Sequence, residues 1–196
     1  VVSGGLGKFS KTDLTKLLAG KNVSMSFKIE NYSSELSGRS TKKDLETALQ
    51  LLYMNFTNVR KDETAYASFI KRATGVMSNI TSNPQIVFAD SVSSSVYCGR
   101  PRGRFLTEKN LTSADYNKVL DLYRSSFSNA GNFVFTIVGN VNPDELKPLI
   151  EQYIGSLPSS PEKATFRKDV LPIRKGSFNN NFIHPLEVPK ASTALI

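Results

Sequence analysis

Residues 132–139 carry the feature that most constrains the fold. Phe133-Val134-Phe135-Thr136-Ile137-Val138 is a nearly continuous apolar run closed by Gly139. A short run of this kind fits a strand buried on both faces. It predicts a strand over Asn132–Gly139, central in its sheet. Directly afterwards, Asn142-Pro143-Asp144-Glu145 opens a helix through Tyr153, stopped by Gly155 and Pro158. Proline suits the first helical turn, where its missing N–H costs nothing. A buried strand feeding a helix requires a sheet and a layer to cover it.

The upstream sequence supplies both. Lys11 to Gly20 predicts a short helix, with Thr12 as cap and Leu14, Leu17 and Leu18 at helical spacing. Val23 to Ile29 alternates apolar and polar residues, the pattern of a half-buried strand. Asn31 to Ser34 reads as a turn into a second strand over Glu35–Ser40, which makes a hairpin. Helices follow: one from Thr41 with Leu45, Leu49, Leu52, Met54 and Phe56; one from Asp62 to Ile80; one from Pro84 to Tyr97; and one after Asp115 with Tyr116, Val119, Leu120, Tyr123 and Phe127. The order predicts a layered α+β domain, mainly antiparallel sheet with helices on one face.

Residues 1–158 read as this domain. Ser159-Ser160-Pro161 opens a linker, and residues 159–196 read as a connector plus the first strand of a following domain. Pro185 and Pro189 there suit edge strands or turns. Val1 is not an initiator residue, and 191–196 breaks off in strand-like sequence, so the chain reads as a fragment whose N-terminal edge is truncated.

Composition narrows the chemistry. No apolar run approaches the ~18 residues of a membrane-spanning helix. One cysteine excludes an internal disulfide, and one histidine excludes a His-pair metal site within the chain. The net charge of +8 attracts polyanions, but charge alone says little about fold. Its only dense cluster is Arg100-Pro101-Arg102-Gly103-Arg104, read as a solvated loop cluster.

Other candidates reduce to structural roles. Gly4-Gly5-Leu6-Gly7-Lys8-Phe9-Ser10 has Phe9 where a phosphate loop needs a hydroxyl and Val2 where it needs its leading glycine, so it reads as a glycine turn. His184 lacks a nearby catalytic partner, and Cys98 lacks a His base. Asp44, Glu46, Asp144 and Glu145 lie in first helical turns, where the macrodipole accounts for them. Five Asn-x-Ser/Thr sequons begin at Asn22, Asn31, Asn55, Asn79 and Asn110. In a chain this rich in Asn, Ser and Thr they do not establish glycosylation.

One longer pattern is more specific. The stretch from Asn132-Phe133-Val134-Phe135-Thr136-Ile137-Val138-Gly139-Asn140-Val141 to Glu145-Leu146-Lys147-Pro148-Leu149-Ile150-Glu151-Gln152-Tyr153-Ile154-Gly155-Ser156-Leu157-Pro158 resembles a signature of the pitrilysin/insulinase family of zinc peptidases, the inverzincins. There a "TIVGNV" strand leads to a helix ending in "LIEKYLGSLP". Leu17 to Lys21, Asp44 to Tyr53, Asn83-Pro84, and Leu106-Thr107-Glu108 before Asp115-Tyr116 agree with it. The resemblance spans about residues 4–158.

It implies two homologous halves closing like a clamshell around an unstructured peptide. In the catalytic half, an H-x-x-E-H motif and a distant glutamate supply two His and a Glu to zinc, with the other Glu activating water. This chain has no such motif, and His184 lies outside the matched stretch. The resemblance therefore implies a non-catalytic, chamber-forming domain from the C-terminal half, with no catalytic or metal residue of its own and no assignable substrate-binding residue. Zinc is expected in the catalytic half of the same polypeptide, which is the implied partner together with a peptide substrate. Nucleic acid and a membrane span are not expected. A bacterial periplasmic or envelope location follows by resemblance only. Two alternatives stand beside this reading: a scaffold domain of a non-enzymatic relative, like the core subunits of the mitochondrial respiratory complex, and a basic polyanion-binding module.

Overall fold

In chain order the elements are β1 (Gly5–Leu6), β2 (Phe9–Ser10), α1 (Lys11–Leu17), β3 (Val23–Ile29), β4 (Ser34–Ser40), α2 (Leu45–Thr57), α3 (Glu63–Thr81), α4 (Pro84–Val96), α5 (Glu108–Thr112), α6 (Tyr116–Ser126) and α7 (Pro143–Tyr153). This computed structural model describes residues 4–30, 32–165, 171–184 and 190–195. Pro185, Pro189 and the Asn31 sequon lie outside the described residues. Contacts divide the chain into two units, Val1–Ala67 with Asp115–Phe166 and Ser68–Ala114 with Arg167–Ile196.

The first unit holds the core. β3 and β4 pair antiparallel from Val23↔Ser40 to Ile29↔Ser34, as the alternation predicts. Phe27 and Leu36 from this hairpin pack on the cluster of Phe56, Tyr123, Phe127, Ala130 and Leu157. Phe127 is fully buried, and its ring lies 5.4 Å from Phe56, 4.8 Å from Tyr123 and 5.5 Å from Phe133. The Tyr123 hydroxyl donates to the Asn55 carbonyl at 3.0 Å, which satisfies a polar group that burial would otherwise penalise. Burial also pushes that phenol's pKa far above its ordinary value. Helices α2 and α6 thus cover one face of an antiparallel hairpin, the α+β layering expected.

Local chemistry sets the helix ends, with two corrections. Ser10, not Thr12, caps α1: its hydroxyl accepts from Asp13 N–H at 3.1 Å while the Asp13 carboxylate accepts from Ser10 N–H at 3.1 Å. This reciprocal box satisfies two otherwise unpaired donors. Asp44 does not serve the α2 terminus. Its buried carboxylate turns back to accept the Asn22 N–H at 2.9 Å and the Thr41 hydroxyl at 2.8 Å, tying the entry of β3 to the start of α2. Asn83, Asp115 and Asn142 cap α4, α6 and α7 through side-chain acceptors. The short helix α5, capped by Thr107, was not anticipated.

The predicted central strand is the main departure. Residues 133–138 belong to no sheet among the described residues. Phe133 and Phe135 turn inward against Phe56, at 5.1 and 6.0 Å between rings. Val134 and Val138 point outward at 92% and 91% exposure. The run has the alternation of an extended segment covered on one face, and lacks the neighbours that would make it central.

In the second unit, α4 has no buried residue. Arg174 N–H donates to the Val96 carbonyl at 2.8 Å and its guanidinium to the Ser95 carbonyl at 2.8 Å. The Asn180 amide reaches the Ser91 and Ser95 hydroxyls. Residues 171–184 and 190–195 form no helix or strand.

Candidate functional site

The most developed concavity of the first unit is a groove of about 590 Å³. One wall is β4 from Ser34 through Ser40, the other the extended segment 133–141. Leu45, Leu49, Leu52 and Phe56 of α2 form the floor, and Glu35, Arg39 and Lys42 stand among the lining residues. Such a lining offers apolar surface and main-chain polar groups. It contains no His or Cys.

Residues singled out by sequence are dispersed. His184 and Cys98 both fall in the second unit. Cys98 is exposed, with a backbone φ of 55° at the end of α4, just before Gly99 at φ 70°. It serves to turn the chain after a helix, a role normally given to glycine or asparagine. Arg104 of the basic cluster bonds Asp90 at 2.8 Å, and Asp90 also accepts the Phe105 N–H at 2.8 Å. Partial burial works to raise the Asp90 pKa, but these bonds outweigh it and hold the carboxyl below its ordinary value. The cluster is therefore built in part into the fold and is not wholly solvated.

Other candidates act locally. Glu46 accepts from the Tyr153 hydroxyl at 2.9 Å, and Glu145 pairs with Lys42 at 2.9 Å. The second pair is exposed and contributes little. Asn55 is buried, its amide donating to the Leu51 carbonyl at 2.7 Å, so that sequon is closed to modification. Asn110 is occupied in the cap of α5. Glycines 4 and 5 are packing residues. A Cβ on Gly4 would collide with Asp62, and one on Gly5, at φ 145°, would collide with the Phe9 carbonyl. Their crowding is a tertiary fact with no signal in the residue string.

Asp44 yields a pH prediction. The Asn22 N–H, then the Thr41 hydroxyl, hold its carboxyl below the ordinary 3.8. A folded pKa below the unfolded one stabilises the fold above the unfolded value, and that gain is lost as pH falls through the folded value. Asp44→Ala should therefore unfold at lower temperature than the parent near neutrality, and the gap should close in acid. Thermal melts across about pH 7 to about pH 2.5 read this directly. A gap constant over that range would show that the carboxylate charge contributes nothing.

Zinc does not fit this donor set. Among the described residues, no group of three or more His, Cys, Asp or Glu side chains is placed to hold a metal. The fold is a layered α+β domain with one apolar groove lined by β4, α2 and residues 133–141.

The family model described as "Peptidase M16 inactive domain" matches residues 113–196. The zinc protease PQQL-like of Arabidopsis thaliana is 29% identical over 170 residues, 86% of this chain and 18% of that protein. The probable zinc protease PqqL of Escherichia coli strain K12 is 28% identical over 160 residues, 81% of this chain and 17% of that protein. Among solved structures, the periplasmic protease PqqL from Escherichia coli superposes with a TM-score of 0.69 at 26% identity, over 81% of this chain and 18% of that one. A peptidase M16 inactive domain from Pseudomonas fluorescens shares the fold, with a TM-score of 0.66 at 16% identity, covering 86% of this chain and 42% of that one. Residues 113–196 thus match the inactive domain of the M16 peptidases, and most of this chain is similar to zinc proteases. The chain spans under a fifth of the length of the curated relatives it matches.

Proposed function

We propose that this chain is a chamber-forming, non-catalytic domain of a zinc-dependent endopeptidase that cleaves peptides or unfolded polypeptides. The observation that carries the reading is the match of residues 113–196 to the inactive domain of the family. The zinc proteases similar over most of this chain support the same parent activity. Zinc and the catalytic groups belong to the partner half of the polypeptide, and this domain forms one wall of the space that holds the peptide. In this reading residues 1–158 are the domain, and 159–196 are a linker and the first strand of the following domain. A periplasmic or envelope compartment is favoured by the similar periplasmic protease.

Two preparations test this. The 196-residue chain should retain no stoichiometric zinc after dialysis and should not cleave an unfolded polypeptide. The longer polypeptide containing the other half should bind zinc and cleave it, with activity abolished by a chelator. One tightly held zinc on the isolated chain would overturn the assignment. A full-length protein that neither binds zinc nor cleaves supports the non-enzymatic scaffold reading instead.

Nucleic-acid binding is not part of this function, because Arg104 is committed to Asp90 and the remaining positive charge is dispersed. Binding of DNA should stay weaker than about 1 µM at physiological salt and change little when Arg100, Arg102 and Arg104 become alanine. Tight binding lost in that triple variant would favour the polyanion module.

A further inference from the structure

The last turn of α4 is capped from far along the chain. The final four carbonyls of a helix have no partner inside it, and at α4 these belong to Ser93, Ser94, Ser95 and Val96. The Tyr97 N–H donates to the Ser93 carbonyl at 2.9 Å, and the Gly99 N–H to the Ser94 carbonyl at 2.7 Å. Cys98 and Gly99 then turn the chain through positive φ. In the usual helix stop of this kind the Cys98 N–H would serve the Ser95 carbonyl, but among the described residues it makes no such bond. Arg174 supplies both missing donors. Its guanidinium Nε reaches the Ser95 carbonyl at 2.8 Å, and its main-chain N–H reaches the Val96 carbonyl at 2.8 Å.

The residues after Arg174 follow the helix back. The Asn180 amide donates to the Ser91 hydroxyl at 2.8 Å and to the Ser95 hydroxyl at 3.0 Å. Phe182 and His184 share a hollow with Asn83, Gln85 and Phe88 from the start of α4. Arg174 is half-buried, whereas residues 175–183 are all exposed. The Arg174 guanidinium also lies over the Phe178 ring, 3.8 Å from its centroid. The helix dipole favours a cation at this end, and the aromatic face favours one as well. The contact is held by hydrogen bonds and this one stacked cation, with no buried residue on α4 beneath it. Contacts of that kind open at low free energy while a core stays folded.

We infer that residues 174–184 are a releasable strap docked along α4, with Arg174 as its latch and as the remote cap of that helix. Release at Arg174 strips the Ser95 and Val96 carbonyls of their donors and loosens the last helical turn together with the strap. The two events are coupled, so whatever lengthens the free connector also frays the end of α4. All of these bonds lie within the second unit, and the strap does not depend on peptidase activity.

Amide hydrogen exchange at Arg174 and at the end of α4 tests it, in the 196-residue chain and in the longer polypeptide, with Arg174→Ala and Lys175→Ala variants of each. In the parent chains the Arg174 amide should exchange at least about 10-fold slower than a free peptide. In Arg174→Ala the amides at position 174, Tyr97 and Gly99 should all quicken by about 3-fold or more. The Phe105 amide, held by Asp90 of the same helix, should keep its parent rate and so report that the helix still stands. Lys175→Ala, beside the latch but exposed, should change none of these rates. Four results overturn the inference. Free-peptide exchange at Arg174 in either parent chain leaves the strap undocked. Quickening at position 174 alone uncouples the strap from the helix end. An equal loss at Phe105 makes Arg174 a general support of the unit. An equal effect of Lys175→Ala assigns the change to connector charge.

Discussion

Replacing Phe127 with alanine should lower the unfolding free energy by about 3–5 kcal/mol, the range for truncating a fully buried aromatic side chain. Phe127 is 0% exposed and contacts the Phe56, Tyr123 and Phe133 rings. Those rings come from three separate chain segments, so the cavity is not readily closed by a local shift. Urea denaturation of parent and variant measures the loss. Leu122→Ala, within α6 and 61% exposed, serves as the control and should stay within about 0.5 kcal/mol. Equal losses at the two positions would mean that the core does not lie where the α6 face places it.

Gly5→Ala should be nearly as damaging, on the order of 3 kcal/mol, from a disfavoured backbone region and a steric clash together. At φ 145° the new Cβ would meet the Phe9 carbonyl and the Ser10 backbone, none of which is a flexible side-chain end. The same strand binds its surroundings through main-chain bonds, Arg60 N–H to the Gly5 carbonyl at 3.1 Å and Gly4 N–H to the Arg60 carbonyl at 3.0 Å. Relief by movement therefore breaks hydrogen bonds. Gly20→Ala has open space at its Cβ, so it carries only the φ penalty at 82° and should cost less. A Gly5→Ala protein as stable as Gly20→Ala would show that space at Gly5 is not limiting.

Local signals were legible wherever one stretch of chain contains the whole cause. The alternation over Val23–Ile29 became β3, the Asn83-Pro84 and Asn142-Pro143 starts became α4 and α7, and Asp115 became the cap of α6. The family resemblance was equally legible, since the 132–158 pattern overlaps the matched inactive domain. Asp44 was misread for a physical reason. A carboxylate in a first helical turn favours the helix dipole, but the stronger demand came from an Asn22 N–H that is remote in sequence. Nothing near residue 44 announces that donor.

Residue identity and short spacing were enough for the order of helices and strands, for the starts of α4, α6 and α7, and for the lack of a His pair. Packing between remote segments settled which face of 133–138 is covered and why Gly4 and Gly5 admit no side chain. Side-chain pattern records how a strand meets a core. It does not record which other strand, near or far along the chain, takes up the strand's main-chain hydrogen bonds.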